Sequence, residues 1–203
     1  MSDDARVLIV CTANLCRSPY VEARLRAALD DSRVHIESAG TRAMTGAAMS
    51  ADSATQLRQR DIEFDVSFAA RQVTTALIER ATLVLTMTRT HRAQVLELAP
   101  LALKRTLTLR EFAGLLEARA SDDTVAPLPS APPIESSSHD AWAALVRDCI
   151  SRRSRHPELV SSDDADLADP YGLGPEAFAT MARTVEGAVD QIVHAAHHLL
   201  PPS

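Results

Sequence analysis

The chain lacks an excess of positive charge, a long apolar run and an even set of cysteines, and each absence closes off a class of function. Lys and Arg number 21 against 27 Asp and Glu, a formal net charge of -6 at pH 7. That balance argues against sequence-independent binding of nucleic acid and against adhesion to an anionic membrane. Lys104 is the only lysine, so nearly all the positive charge is arginine, which reads as genome composition. No apolar segment approaches membrane-spanning length, and no secretory segment precedes the first apolar run. Three cysteines, an odd number, point to a reducing cytoplasm rather than a disulfide framework. What is present is 203 residues of which 46% are hydrophobic, enough for one globular domain with a sizeable core.

Val7-Leu8-Ile9-Val10, within residues 6–10, is an apolar, β-branched run bounded by a turn, the pattern of a buried first strand. Val34 and Ile36 alternate with polar neighbours in a short second strand ending at Ser38-Ala39-Gly40. Leu83-Val84-Leu85 reads as a third strand, and Leu107 with Leu109 as a fourth. Helical spacing follows the first loop at Val21, Leu25, Ala28 and Leu29, and weakly at 52–60. Thr88 is a good N-cap for a helix carrying Val95 and Leu98 that Pro100 stops. Residues 121–140, rich in Ser, Pro and Asp, read as a flexible loop, and Trp142, Leu145, Val146, Cys149 and Ile150 then share one helical stripe. After an acidic stretch at 161–169, Gly174-Pro175 opens the clearest helix, with Phe178, Met181, Val185, Val189 and Ile192 on its apolar face.

Strands alternating with helices predict an α/β fold: a central four-stranded parallel sheet with helices on both faces. The chain, 1–203, reads as a single domain with an insertion at about 121–160, a loop plus one helix. In such sheets ligands bind at the C-terminal ends of the strands.

That edge is where Cys11-Thr12-Ala13-Asn14-Leu15-Cys16-Arg17-Ser18-Pro19 falls, a loop between the first strand and a helix that Pro19 helps to start. Such a loop aims backbone N–H groups and the positive end of a helix dipole at one spot, which will hold an anion. A thiol at the base of that ring is placed to act as a nucleophile. Arg17 brings a planar fork suited to phosphate oxygens. Asn14 suits a left-handed backbone position, and Ser18 can donate toward the sulfur. The plain alternative is that Cys11 is an apolar filler in a chance Cys-x5-Arg; the strand before and helix after favour the phosphate-binding loop. A thiol attacking a phosphate ester needs a proton donor for the leaving oxygen. The candidate is Asp169, in Asp169-Pro170-Tyr171-Gly172; Asp163, Asp164 and Asp166 read instead as a solvated acidic run. No cofactor and no metal are called for: His194, His197 and His198 share the last helix without a further ligand beside them.

These two motifs, in this order at opposite ends, make the chain similar to the low-molecular-weight protein tyrosine phosphatase family, close to its bacterial branch. The likeness extends through Ser38-Ala39-Gly40-Thr41, Ala70-Arg71-Gln72 and Leu85-Thr86-Met87-Thr88. The resemblance implies a cytoplasmic hydrolase that dephosphorylates phosphotyrosine on proteins through a phosphocysteine intermediate. It assigns catalysis to Cys11, Arg17 and Asp169, the last as general acid and then base. It assigns substrate binding to Thr12, Ala13, Asn14, Leu15, Cys16 and Ser18 of the loop, with Tyr171 on the rim. Inorganic phosphate and other oxyanions would bind the same loop. Family members acting on phosphoarginine carry threonine where this chain has Leu15, so the apolar residue favours phosphotyrosine. In the family a neighbour such as Cys16 can form a reversible disulfide with the nucleophile; a buried small side chain is the equal alternative.

Two departures stand out. Ala13 occupies a position that is usually glycine, and its methyl predicts crowding of the loop backbone. Arg42-Ala43-Met44 has no aromatic where the family commonly has one. Cys149 reads as core, His91 and Arg92 as surface residues at a helix start, and Tyr20 as either rim or helix start. Two other functions compete. A thiol-dependent arsenate reductase uses the same cradle, but its thioredoxin-coupled form needs further cysteines near the middle of the chain, and residues 60–120 hold none. A non-catalytic phosphate-binding module is the alternative from another class, motivated by Ala13.

Overall fold

The structure, a computed structural model, describes residues 4–29, 34–121, 137–161 and 163–199. The elements run β1 Ala5–Cys11, α1 Arg17–Ala28, β2 Val34–Gly40, α2 Ala51–Arg58, α3 Thr75–Arg80, β3 Leu83–Thr86, α4 Arg89–Leu98, β4 Thr106–Thr108, α5 Leu109–Ala120, α6 Ser138–Arg152, α7 Pro157–Ser161 and α8 Pro175–Leu199. The strands form one parallel sheet in the order β2-β1-β3-β4. Because side chains alternate along a strand, β1 feeds two cores. Val7, Ile9 and Cys11 face α1, α5, α6 and α8, whereas Leu8 and Val10 face Leu77, Ile78 and Val95 of α3 and α4. The expected four-stranded α/β sheet with helices on both faces is therefore what the chain forms.

The order reverses beside β1: the chain leaves β1 for β2 on one side and returns through β3 on the other. That switch opens a crevice at the C-terminal ends of β1 and β3. The loops that follow those two strands, 12–16 and 87–88, are its walls.

The second half of the chain departs from expectation at several points. Leu109 begins α5 rather than extending the fourth strand. Thr108 Oγ1 accepts the Glu111 amide at 3.1 Å, and Glu111 Oε2 accepts the Thr108 amide at 3.2 Å. That reciprocal cap starts the helix one residue after the strand, and a two-residue alternation could not reveal it. The short α3 also lacked an apolar pattern; Thr74 caps it by accepting the Leu77 amide. The Ser-Pro-Asp loop falls largely on 122–136, outside the described residues. The helix after it, α6, is bound into the main core: Trp142, Leu145, Val146 and Cys149 are buried against β1, α5 and α8. Burial pushes the Cys149 thiol up to about 12, which leaves it an inert packing group.

Trp142 is fully buried, so Trp142→Ala should cost about 3–5 kcal/mol in urea unfolding. A loss below about 1 kcal/mol would mean that α6 is peripheral to the fold.

Candidate active site

The loop from Cys11 to Arg17 is shaped from outside by the segment that follows β2. Thr41, Arg42 and Met44 donate their amides to the carbonyls of Cys11, Thr12 and Ala13 at 2.9, 2.9 and 3.1 Å, and Ser50 donates to Leu15 at 2.9 Å. The loop carbonyls are thereby turned outward. Among the described residues, no carbonyl accepts the amides of residues 12–16. Cys16 stands at the N-cap of α1 with no side-chain oxygen on the helix amides. Unpaired amides at a helix start are donors waiting for an anion. Gly40 permits this arrangement: a Cβ there would lie 2.4 Å from the Thr12 carbonyl oxygen.

Asn14 is the one loop residue with a left-handed backbone, φ 57°, and its side chain is wholly employed. Nδ2 donates to Ser18 Oγ at 2.9 Å and to Ser38 Oγ at 2.8 Å, and Oδ1 accepts the Arg71 amide at 2.9 Å. Ser38 Oγ donates in turn to Glu22 Oε2 at 2.6 Å. Burial raises the Glu22 carboxyl above its ordinary range, with Ser38 and Arg26 opposing. Ser18 Oγ, already accepting from Asn14, has its own proton for Cys11 Sγ, 2.9 Å away. Asn14 and Ser18 therefore lie beneath the loop and hold it, rather than lining the cleft. Ala13 needs no left-handed backbone, since Asn14 takes that position. Its side chain packs against the core.

A cleft of about 220 Å³ opens over the loop. Cys11, Thr12, Ala13, Leu15, Cys16, Arg17, Asp169 and Tyr171 all line it, together with Met44, which stands in the stretch lacking an aromatic. Three larger clefts, of about 440, 570 and 640 Å³, lie elsewhere and contain no cysteine; the two cysteines rather than the volume mark the site. Burial pushes the Cys16 thiol up, opposed by a hydrogen bond from Ser50.

Arg17 is buried, with Nη1 donating to the Leu167 carbonyl at 3.1 Å and Nη2 to Asp169 Oδ2 at 2.7 Å. The segment that carries Asp169 is stitched to the β3 side of the crevice. The Leu167 amide donates to the Met87 carbonyl at 2.8 Å, and Asp166 Oδ1 accepts the Arg89 amide at 2.7 Å at the start of α4. Asp166 is thus a structural tie, not part of a solvated run. Of the two readings of Tyr20 the helix start holds and the rim does not, and His91 is not a surface residue. Tyr20 is fully buried and donates to Glu186 at 2.7 Å, and burial raises its phenol. His91 is buried as well, with Nε2 2.8 Å from Thr12 Oγ1. Its place one turn into α4 signals only a helix start; contact with the loop comes from the β1/β3 crevice, which local pattern does not show.

Residues 6–127 match the family described as low molecular weight phosphotyrosine protein phosphatase. The chain belongs to that family. As a member it is a phosphatase, a hydrolase of phosphoric monoesters. A protein-arginine-phosphatase of Geobacillus stearothermophilus is 32% identical over 123 residues, 61% of this chain and 81% of that protein. A low molecular weight protein-tyrosine-phosphatase of Acinetobacter johnsonii is 32% identical over 109 residues, 53% and 74% of the two chains. Among solved structures, the tyrosine phosphatase Wzb of Escherichia coli K30, in complex with sulphate, shares the fold with a TM-score of 0.63 at 21% identity, over 96% of this chain and 98% of that one. Asp169 lies beyond the span that matches the family, so its place rests on the geometry above.

Burial, with the Arg17 cation beside it, lowers the His91 imidazole to about 4; Asp169 and Asp166 oppose the shift and Arg42 adds to it. Between about 6.5 and 4 the unfolded chain binds a proton that the folded protein refuses, so stability falls as pH falls through that window. Urea unfolding should show His91 contributing roughly 2 kcal/mol to the loss between pH 7 and pH 5. His91→Gln should remove that component, and an equal loss in the variant would show that other groups carry it.

Proposed function

We propose that this phosphatase hydrolyses phosphotyrosine on proteins, with Cys11 as nucleophile. The sulfur, its proton passed to the Asp169 carboxylate as substrate draws that group from Arg17, attacks phosphorus; the bond to the phenolic oxygen breaks, and that proton goes from Asp169 to the oxygen as it leaves. Water then attacks the phosphocysteine, Asp169 takes a proton from it and returns it to the sulfur, and inorganic phosphate departs with thiol and carboxylate restored. Arg17 and the free amides of the loop carry the charge on the equatorial oxygens through both steps. Residues 1–203 act in this reading as one domain. A nucleophilic thiol with a second cysteine in the same cleft works in a reducing compartment, and we place the protein in the cytoplasm on that ground.

The observation that carries the proposal is the ion pair between Arg17 and Asp169 over a cleft with Cys11 at its base. A phosphoryl dianion competes with the carboxylate for the same guanidinium Nη2. Binding therefore releases Asp169 from Arg17 and leaves it above the phosphorus, where the leaving oxygen emerges. The carboxylate is half-exposed and free to make this move.

Leu15, Met44 and Tyr171 give the cleft apolar walls. A phenol ring buries apolar surface there, whereas the guanidino group of phosphoarginine would lose water against Leu15 without gaining a partner. The likeness to an arginine phosphatase keeps that substrate as the second reading. Against arsenate reduction stand the absence of cysteine at 60–120 and the presence of a proton donor suited to an ester. Against a non-catalytic module stands the presence of Cys11, Arg17 and Asp169 on one cleft.

Cys11→Ser should abolish release of phosphate from a phosphotyrosine peptide. Asp169→Asn should slow it about 10²–10⁴-fold while binding inorganic phosphate at least as tightly, since a competitor for Arg17 is gone. Unchanged turnover in that variant would move the acid elsewhere, and faster hydrolysis of a phosphoarginine peptide by the wild type would reverse the substrate assignment.

A further inference from the structure

His91 is the only buried histidine among the described residues, and its ring spans two hydroxyls. Nδ1 lies 2.8 Å from Thr88 Oγ1, and Nε2 lies 2.8 Å from Thr12 Oγ1. Thr88 Oγ1 accepts the His91 amide at 3.2 Å as the cap of α4 and has its own proton to offer to Nδ1. A neutral imidazole that accepts at Nδ1 carries its hydrogen on Nε2 and donates it to Thr12. Burial and the neighbouring Arg17 keep the ring neutral. Thr12 Oγ1 then receives the Nε2 hydrogen, with Arg17 Nη2 3.5 Å away on another side. Among the described residues no group accepts the proton of Thr12 itself. That hydroxyl lines the cleft, beside the guanidinium nitrogen that a phosphoryl oxygen would occupy.

We propose that His91 is a positioning residue for phosphoryl transfer: through the relay Thr88–His91–Thr12 it fixes Thr12 as a hydroxyl donor to the phosphoryl oxygen held by Arg17. The inference rests on the phosphatase reading and adds a side-chain donor to the loop amides. His91 touches no substrate and exchanges no proton in the reaction; it settles which way the Thr12 hydroxyl points. The relay also ties the loop after β1 to the helix after β3, so the two walls of the crevice share one hydrogen-bond chain.

The test uses the full chain, para-nitrophenyl phosphate for turnover and inorganic phosphate for binding. Thr12→Val and His91→Leu should each raise KM, and the Kd of inorganic phosphate, about tenfold with kcat little changed, the loss of one hydrogen bond to a charged group. The double variant should be no worse than the worse single one, because both remove the same bond. His91→Gln, whose amide can still donate to Thr12, should recover most of the affinity. Nitrogen-15 spectra of the wild type at pH 7 should show the hydrogen of His91 on Nε2. Losses that multiply in the double variant, a His91→Gln variant as weak as His91→Leu, an unchanged Kd for phosphate, or a hydrogen on Nδ1 would each overturn the proposal. Calorimetry with inorganic phosphate in a Cys11→Ser background needs no turnover. An inactive wild type would thus fail the phosphatase reading while the binding comparison still decides the role of His91.

Discussion

The site depends on one constraint: the carbonyls of residues 11–15 must face away from the anion. Left to themselves, the carbonyl dipoles of a tight loop would repel a phosphoryl group as strongly as its amides attract one. Residues 41–50 prevent this by donating four amides to four loop carbonyls, and Gly40 lets the two backbones approach closely enough. Each bond adds only about 1 kcal/mol net, but together they settle the sign of the field at the sulfur. Asn14 completes the arrangement from beneath by absorbing the one left-handed turn and directing Ser18 toward Cys11.

The sheet order places the remaining groups. With β1 central and the connections diverging at β1 and β3, the loop after β1 and the start of α4 face each other across a crevice. His91 reaches Thr12 from α4, and the 163–169 segment reaches Arg17 by bonding to Met87 and Arg89 at the same edge. Asp169 is 152 residues from Arg17 in sequence yet within 2.7 Å of it. The Asp169 carboxylate and the Arg17 guanidinium satisfy each other in this structure. In the proposed mechanism, substrate meets a site whose charges are already balanced, and its own negative charge rearranges them.

Much of this is legible in the amino-acid sequence. Val7-Leu8-Ile9-Val10 followed by Cys11, Arg17 and Pro19 is a local signal, because strand, loop and helix start are consecutive. Asp169 was legible only through its pairing with that loop. Gly40, Met44 and the carbonyl ties were not, since they depend on which strand lies beside the loop. His91 read as a surface residue because one turn of α4 carries too few apolar positions to show a buried face. The α5 helix was lost to the alternation of Leu107 and Leu109, which mimics a strand until Thr108 and Glu111 are seen to cap one another. The left-handed turn at Asn14 is legible from its residue type, and Ala13 beside it carries no positive φ.

The central claim is that the loop holds a phosphoryl group on the sulfur of Cys11 during turnover. Acid quench of the enzyme during steady hydrolysis of a phosphotyrosine peptide labelled with phosphorus-32, followed by peptide mapping, tests it directly. The account predicts label on the peptide containing Cys11 and none on the corresponding peptide of Cys11→Ser. Phosphate release with no label on that peptide, or label on another residue, would contradict it.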